Sequence, residues 1–186
     1  SLGYLWMGTD AGLVKLGGEH PLRFTEDDGL ASDVVSAIAG SPSGGLLLGH
    51  ANGRLTRYHN GQFFAFEREG FANQEKISDC FFDENGNTWI ATQGAGVFIL
   101  GPDTVRHYDS FSGLNDDYIY TLAQAPNGDI WMGTDNGLAI YGGNAFRFLT
   151  MKDGLPDNIV KHVHFDGNGT AWIGMEQGGL ASYNPE

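Results

Sequence analysis

A tryptophan-centred motif returns along this chain at a nearly constant interval. Leu5-Trp6-Met7-Gly8-Thr9-Asp10-Ala11-Gly12-Leu13 recurs as Ile130-Trp131-Met132-Gly133-Thr134-Asp135-Asn136-Gly137-Leu138, with weaker copies over 46–55, 88–97 and 171–180. The anchors Trp6, Leu47, Trp89, Trp131 and Trp172 are spaced 41, 42, 42 and 41 residues apart. A second signature keeps step: Asp28-Gly29-Leu30, Glu69-Gly70-Phe71, Ser112-Gly113-Leu114 and Asp153-Gly154-Leu155. A glycine also stands three residues before each later anchor, at Gly44, Gly86, Gly128 and Gly169. A fixed period of this length makes the chain a repeat architecture, in which each unit buries its faces only against its neighbours.

Each unit reads as four short strands. The first carries two apolar residues three apart: Val35 and Ile38, Ile77 and Cys80, Ile119 and Leu122, Val160 and Val163. A hairpin follows, such as Glu84-Asn85-Gly86 or Pro126-Asn127-Gly128, where Asn-Gly is a strong hairpin signal because both residues tolerate positive φ. The second strand holds the anchor, the third runs for instance from Gly137 to Tyr141, and the fourth covers 22–24, 63–66, 105–108 and 146–149. Four antiparallel strands per repeat of about 40 to 45 residues is the arithmetic of a β-propeller blade. Units are expected at about 1–30, 31–71, 72–114, 115–155 and 156–186, all within one domain. They make 18 strands, about four and a half blades. That count leaves open an arc cut from a larger propeller, or a homodimer joined through open blade edges.

Composition narrows the function. The 29 glycines suit many tight turns, and 41% hydrophobic residues suit a packed core. A net charge of -13 argues against nucleic acid and against contact with anionic membrane surfaces. Cys80 is the single cysteine, so the fold needs no internal disulfide. It holds a repeat position filled elsewhere by Ile38, Leu122 and Val163, as a small buried apolar side chain would.

The stretch from Asp153-Gly154-Leu155-Pro156-Asp157-Asn158, through Asp166-Gly167-Asn168-Gly169 and Trp172-Ile173-Gly174, to Gly179-Leu180-Ala181-Ser182-Tyr183-Asn184-Pro185 resembles the two-component regulator propeller repeat. Residues Ser112 to Tyr141 also match, apart from Asn115-Asp116 in place of the proline, whereas Ala31 to Tyr58 lacks both the Trp and the Pro. The resemblance implies the extracytoplasmic sensor of a bacterial histidine kinase, hybrid two-component system or diguanylate cyclase. It would be periplasmic as part of an inner-membrane receptor, with carbohydrate fragments as one ligand class.

In a propeller, loops joining the second and third strands share a face with those joining successive blades. The short loops bring Asp10, His50, Asn52, Gln93, Asp135, Asn136, Glu176 and Gln177 to that face as candidate ligand-binding residues for a small molecule or glycan. The longer loops add Asp27, Asp28, Asp33, Asn73, Gln74, Asn115, Asp116, Asp153, Asp157 and Asn158. The same residue types also serve as turn formers. His162 and His164 alternate on one strand, and Asp83-x-Asn85 and Asp166-x-Asn168 look like the opening of a calcium loop. Neither has the further ligands a site needs, so no metal, no cofactor and no catalytic residue is assigned. The expected function is ligand sensing without catalysis. The alternatives are a protein-interaction or dimerisation scaffold and, less favoured, a propeller lyase or hydrolase.

Overall fold

A computed structural model describes residues 3–184; Pro185, the last residue of the family-like stretch, lies outside them. It is all-β, with five antiparallel sheets in chain order. Blade 1 holds β1 (Leu5–Thr9), β2 (Gly12–Leu16) and β3 (Leu22–Phe24). Blade 2 holds β4 (Val35–Gly40), β5 (Leu46–His50), β6 (Leu55–His59) and β7 (Gln62–Phe66). Blade 3 holds β8 (Ile77–Phe82), β9 (Thr88–Thr92), β10 (Val97–Leu100) and β11 (Val105–Tyr108). Blade 4 holds β12 (Ile119–Gln124), β13 (Ile130–Thr134), β14 (Gly137–Gly142) and β15 (Ala145–Leu149). Blade 5 holds β16 (Val160–Phe165), β17 (Ala171–Met175) and β18 (Leu180–Tyr183). The first strands pack in series, β4 on β8, β8 on β12 and β12 on β16. This is a β-propeller of four-stranded blades, with three strands described in the first and last.

The apolar pairs three residues apart are explained by a bulge. In a regular strand, residues i and i+3 face opposite sides. Here the register slips by one residue at Ser36, Ser78, Tyr120 and Lys161. Val35 then lies opposite His50 and Ile38 opposite Leu48, two positions on one face of β5. The extra residue swings out of the ladder. Ser36 uses it to donate its hydroxyl to the Ile77 carbonyl of the next blade at 2.6 Å, and Ser78 does the same to Ile119.

Four hydrophobic clusters lie in the four seams between blades. Each anchor Trp that has a following blade points into it. Trp6 meets Tyr58 at a ring separation of 4.9 Å, Trp89 meets Tyr141 at 5.4 Å, and Trp131 meets Tyr183 at 5.7 Å. The three tyrosines hold one repeat position, each paired with the first residue of its blade's anchor strand or its equivalent. Trp89 and Trp131 are essentially fully buried, whereas Trp172 in blade 5 is 40% exposed, because no described blade lies over it.

The rest of the anchor motif has equally local causes. A methyl group at Gly133 would lie 2.6 Å from the Val160 carbonyl oxygen, and one at Gly8 2.6 Å from that of Val35. Glycine therefore lets the bulged strand of the next blade approach closely. The threonine after it locks the turn: Thr9, Thr92 and Thr134 donate their hydroxyls to the carbonyls of Gly12, Gly96 and Gly137 at 2.7, 2.8 and 2.9 Å.

The hairpin before each anchor differs from expectation. Gly86 and Gly128 adopt positive φ, but Asn85 and Asn127 do not. The turn is stabilised instead by the aspartate before it. Asp83 accepts from the backbone N–H of Asn85 and Asn87, and its second oxygen accepts from Trp89 Nε1 at 2.8 Å. Asp166 repeats this for Asn168, Thr170 and Trp172. Both residues read above as a calcium-loop opening thus hold a hairpin to its anchor. Turns with two residues at positive φ occur between third and fourth strands, at Asn60-Gly61 and Gly143-Asn144.

Candidate functional site

The turns that end the anchor strands and the loops between blades meet on one face, stitched together by hydrogen bonds. Asn52 Nδ2 donates to the Ala31 carbonyl at 2.9 Å and Asn115 Nδ2 to the Asn136 carbonyl at 2.8 Å. Gln177 N–H donates to Asp157 at 2.8 Å, and Gln93 N–H to the Lys76 carbonyl at 2.9 Å. Asn52 and Asn136 therefore spend part of their hydrogen-bonding capacity on the scaffold. Asp10, Glu176 and Gln177 are exposed, and Gln93 is half-buried.

His50 is a correction. It sits where three other blades have the turn-locking threonine, and it is fully buried, so its side chain is not exposed on the candidate face. Its Nε2 lies 2.8 Å from Thr56 Oγ1, and its Nδ1 has no partner. Burial holds the imidazole below its ordinary pKa, against weaker pulls from backbone groups of Val34 and Ser32 and from the charge of Glu26.

A polar cluster links blades 4 and 5 on the candidate face. Tyr120 donates its hydroxyl to Asp135 Oδ1 at 2.8 Å. Lys161, at the equivalent bulge of blade 5, lies with Nζ 3.5 Å over the Tyr120 ring and 3.3 Å from Glu176 Oε1. Burial acts to lower the Lys161 pKa, but Tyr120 and Glu176 outweigh it and the ammonium is held above its ordinary value. Nearby, burial, and behind it the charges of Asp135 and Asp117, raise the Asp116 carboxyl against the Tyr118 N–H that it accepts. Asp135 and Glu176 from the candidate set thus share one cluster with Tyr120 and Lys161, which sequence reasoning missed.

Three of the four loops between blades share one construction. Leu30, Leu114 and Leu155 donate their N–H to the carbonyls of Thr25, Asp109 and Thr150 at 3.3, 2.9 and 3.2 Å. Asp33, Asp117 and Asn158 accept from the N–H of Glu26, Ser110 and Met151 at 2.8, 2.6 and 2.8 Å. Asp33 and Asn158 are therefore braces. The loop from blade 2 to blade 3 lacks both ties. It has one residue fewer between Phe66 and Gly70 than the others have at that place, and one more between Phe71 and Ile77. Without the residue whose carbonyl closes the longer turn, it makes only the tighter Phe71 N–H to Arg68 bond at 3.0 Å.

A cleft of about 750 Å³ opens beside this loop, lined by Leu55 and Phe66 of blade 2, by Phe71 and Asn73 of the loop, and by Arg54 and Arg68. A second of about 680 Å³ adjoins it through Phe66 and Arg68 and takes in Arg57 and Phe64. The seam between blades 2 and 3 carries leucine at both plug positions, Leu47 for the anchor Trp and Leu100 for the tyrosine; both are buried in its hydrophobic cluster and line neither cleft. Sequence reasoning placed Leu47 among the anchors and missed both the clefts and its partner Leu100, 53 residues on.

Other candidates are placed plainly. His162 and His164 are both exposed on one face of β16, opposite Gly174 and Trp172. No group of three or more His, Cys, Asp or Glu among the described residues could hold a metal ion. Cys80 is buried, and desolvation pushes its thiol far above the ordinary range. No helix among the described residues is long and apolar enough to cross a membrane.

Residues 113–136 match the two component regulator propeller family. No curated protein matches the chain. Among solved structures, the chain is similar to the extracellular domain of BT3049 from B. thetaiotaomicron, assigned as a hybrid two component system. The TM-score is 0.84 and the identity 23%, over 98% of this chain and 26% of that one. The extracellular domain of BT4673 from the same organism gives 0.79 and 23%, over 97% and 26%. A virginiamycin B lyase from Staphylococcus aureus gives 0.70 and 10%, over 98% and 67%. This chain spans about a quarter of the length of the two extracellular domains. At these identities the likeness is one of fold.

Proposed function

We propose that this chain, a β-propeller carrying a two component regulator propeller repeat, is the ligand-sensing part of a periplasmic receptor of bacterial two-component type, with carbohydrates as one ligand class. The observation that carries this reading is the face just described. Packed seams hold polar loops in fixed positions, and a cleft opens beside the loop from blade 2 to blade 3. Binding sites concentrate where loops project from a rigid scaffold, in clefts of this size. Asp10, Asn52, Gln93, Asp135, Asn136, Glu176 and Gln177 are the candidate contacts, with Tyr120 and Lys161 added and His50 removed. No catalytic role is proposed, and the likeness to lyases is only to their fold.

The test is a thermal-shift panel of mono- and oligosaccharides and small metabolites. A ligand that binds only the folded state raises the melting temperature by mass action. Stabilisation reduced by Asp135→Ala or Glu176→Ala would support the reading; no stabilisation by any member would overturn it.

A further inference from the structure

We infer that the outer edge of blade 2, the free side of β7, pairs with the same edge of a second copy of this chain, joining the two blades into one antiparallel sheet about a two-fold axis at Phe64. A ligand on the candidate face has no bearing on it.

The fourth strand ends each complete sheet and leaves one side without a backbone partner. Such edges invite another strand, and proteins commonly blunt them with charge. Three of the four fourth strands among the described residues follow that rule: β3 carries Arg23, β11 Arg106 and β15 Arg147. The remaining one, β7, reads Gln62-Phe63-Phe64-Ala65-Phe66 and carries no charge. Gln62, Phe64 and Ala65 are exposed, Phe64 to 49%.

The backbone sets the register. Asn60-Gly61 is a two-residue turn with both φ positive, flanked by the pair His59 and Gln62. In such a hairpin the flanking pair is hydrogen-bonded, and bonded and non-bonded pairs alternate from there. Gln62, Phe64 and Phe66 therefore spend their backbone groups on β6, while the N–H and C=O of Phe63 and Ala65 point out of the sheet. A two-fold axis at Phe64 sets each Phe63 opposite the other copy's Ala65, and both pairs exchange backbone hydrogen bonds. Phe64 meets its own counterpart in a non-bonded pair, where side chains lie closest.

Charge favours a second copy at this edge and at none of the other three. Identical strands paired about a two-fold axis oppose their central residue to itself. An arginine at or beside the centre of β3, β11 or β15 would meet its own charge. On β7 the first charges come after the strand, at Glu67 and Arg68, and fall opposite Gly61 and Asn60.

An edge of five residues is small beside the roughly 1,200 Å² of stable interfaces, so a Kd of about 10–500 μM is expected. Sedimentation velocity through that range should show monomer passing to dimer, more readily as salt screens the -13 carried by each copy. Phe64→Arg gives β7 the charge of the other edges. Ala65→Pro removes an outward N–H and leaves the β6 ladder intact. Both variants should stay monomeric with melting unchanged. Phe64→Cys should form an oxidised dimer, because Cα atoms of a non-bonded pair lie about 4.5 Å apart, within disulfide reach; Cys80 is buried. A wild type monomeric throughout, a dimer that survives Phe64→Arg, association that weakens with salt, or no cross-link in Phe64→Cys would overturn the inference. If Ala65→Pro does not fold, Phe64→Arg still decides, because that side chain is half in solvent.

Discussion

Replacing Ala125 with aspartate should stabilise the protein. Trp131 is 1% exposed, and its indole N–H has no acceptor. Trp89 and Trp172 donate to Asp83 and Asp166, each six residues earlier. Ala125 stands six residues before Trp131, in the same hairpin frame, with its N–H bonded to the Asp129 carbonyl at 2.8 Å as that of Asp83 is to Asn87 at 2.9 Å. A buried donor without a partner costs about 1–3 kcal/mol, and a hydrogen bond contributes about 1 kcal/mol net. The new carboxylate would also accept from the turn N–H groups. Against this stand its own desolvation and the nearby charge of Asp129, so a net gain of about 1–2 kcal/mol is expected. In a chain of this length that corresponds to a rise of about 3–6 °C in Tm. The assay is a double-mutant cycle by calorimetry, with Ala125→Asp measured alone and on Trp131→Phe. The gain should vanish when the indole N–H is gone. A gain of equal size in both backgrounds, or none in either, would refute the reasoning.

The converse change, Asp83→Ala, should cost about 2–3 kcal/mol by orphaning Trp89 Nε1 and two backbone donors, read from denaturant melts. Gly133→Ala should destabilise by about 1–3 kcal/mol, because its methyl would meet the Val160 carbonyl at 2.6 Å, whereas Gly174→Ala, with its nearest neighbour at 3.7 Å, should be close to neutral; equal costs would show that the close approach is not the reason for the glycine. His50, whose folded pKa is lowered by burial, binds protons better when unfolded, so its share of stability is present above about pH 6.5 and is lost as pH falls below that value. His50→Thr should flatten stability between about pH 6.5 and 5; an unchanged slope would count against it.

Most of the fold was legible because each repeat states the same physics again. Blade strands, hairpins and seam anchors followed from period and residue type. The bulge was present in the sequence as apolar pairs three apart, a spacing that a regular strand does not explain. The indole acceptors were visible as Asp83 and Asp166 but noted only for their likeness to a calcium loop, since a bond across six residues leaves no mark in periodicity. His50 was misplaced because loop position says where a side chain begins and not which way it turns. The cleft was hardest to foresee. It opens beside a loop in which a one-residue shortening is offset by a one-residue lengthening, so neither the repeat length nor the composition records it.

The plug between blades has a consequence for how such chains diversify. Its two halves belong to different repeats, 52 residues apart in three seams and 53 in the fourth. Replacing a plug therefore takes paired changes in adjacent modules, and duplicating a single module mates an old half with a new partner. Related sequences should show correlated substitution at one repeat plus about ten residues, a spacing at which no single blade is the inherited unit.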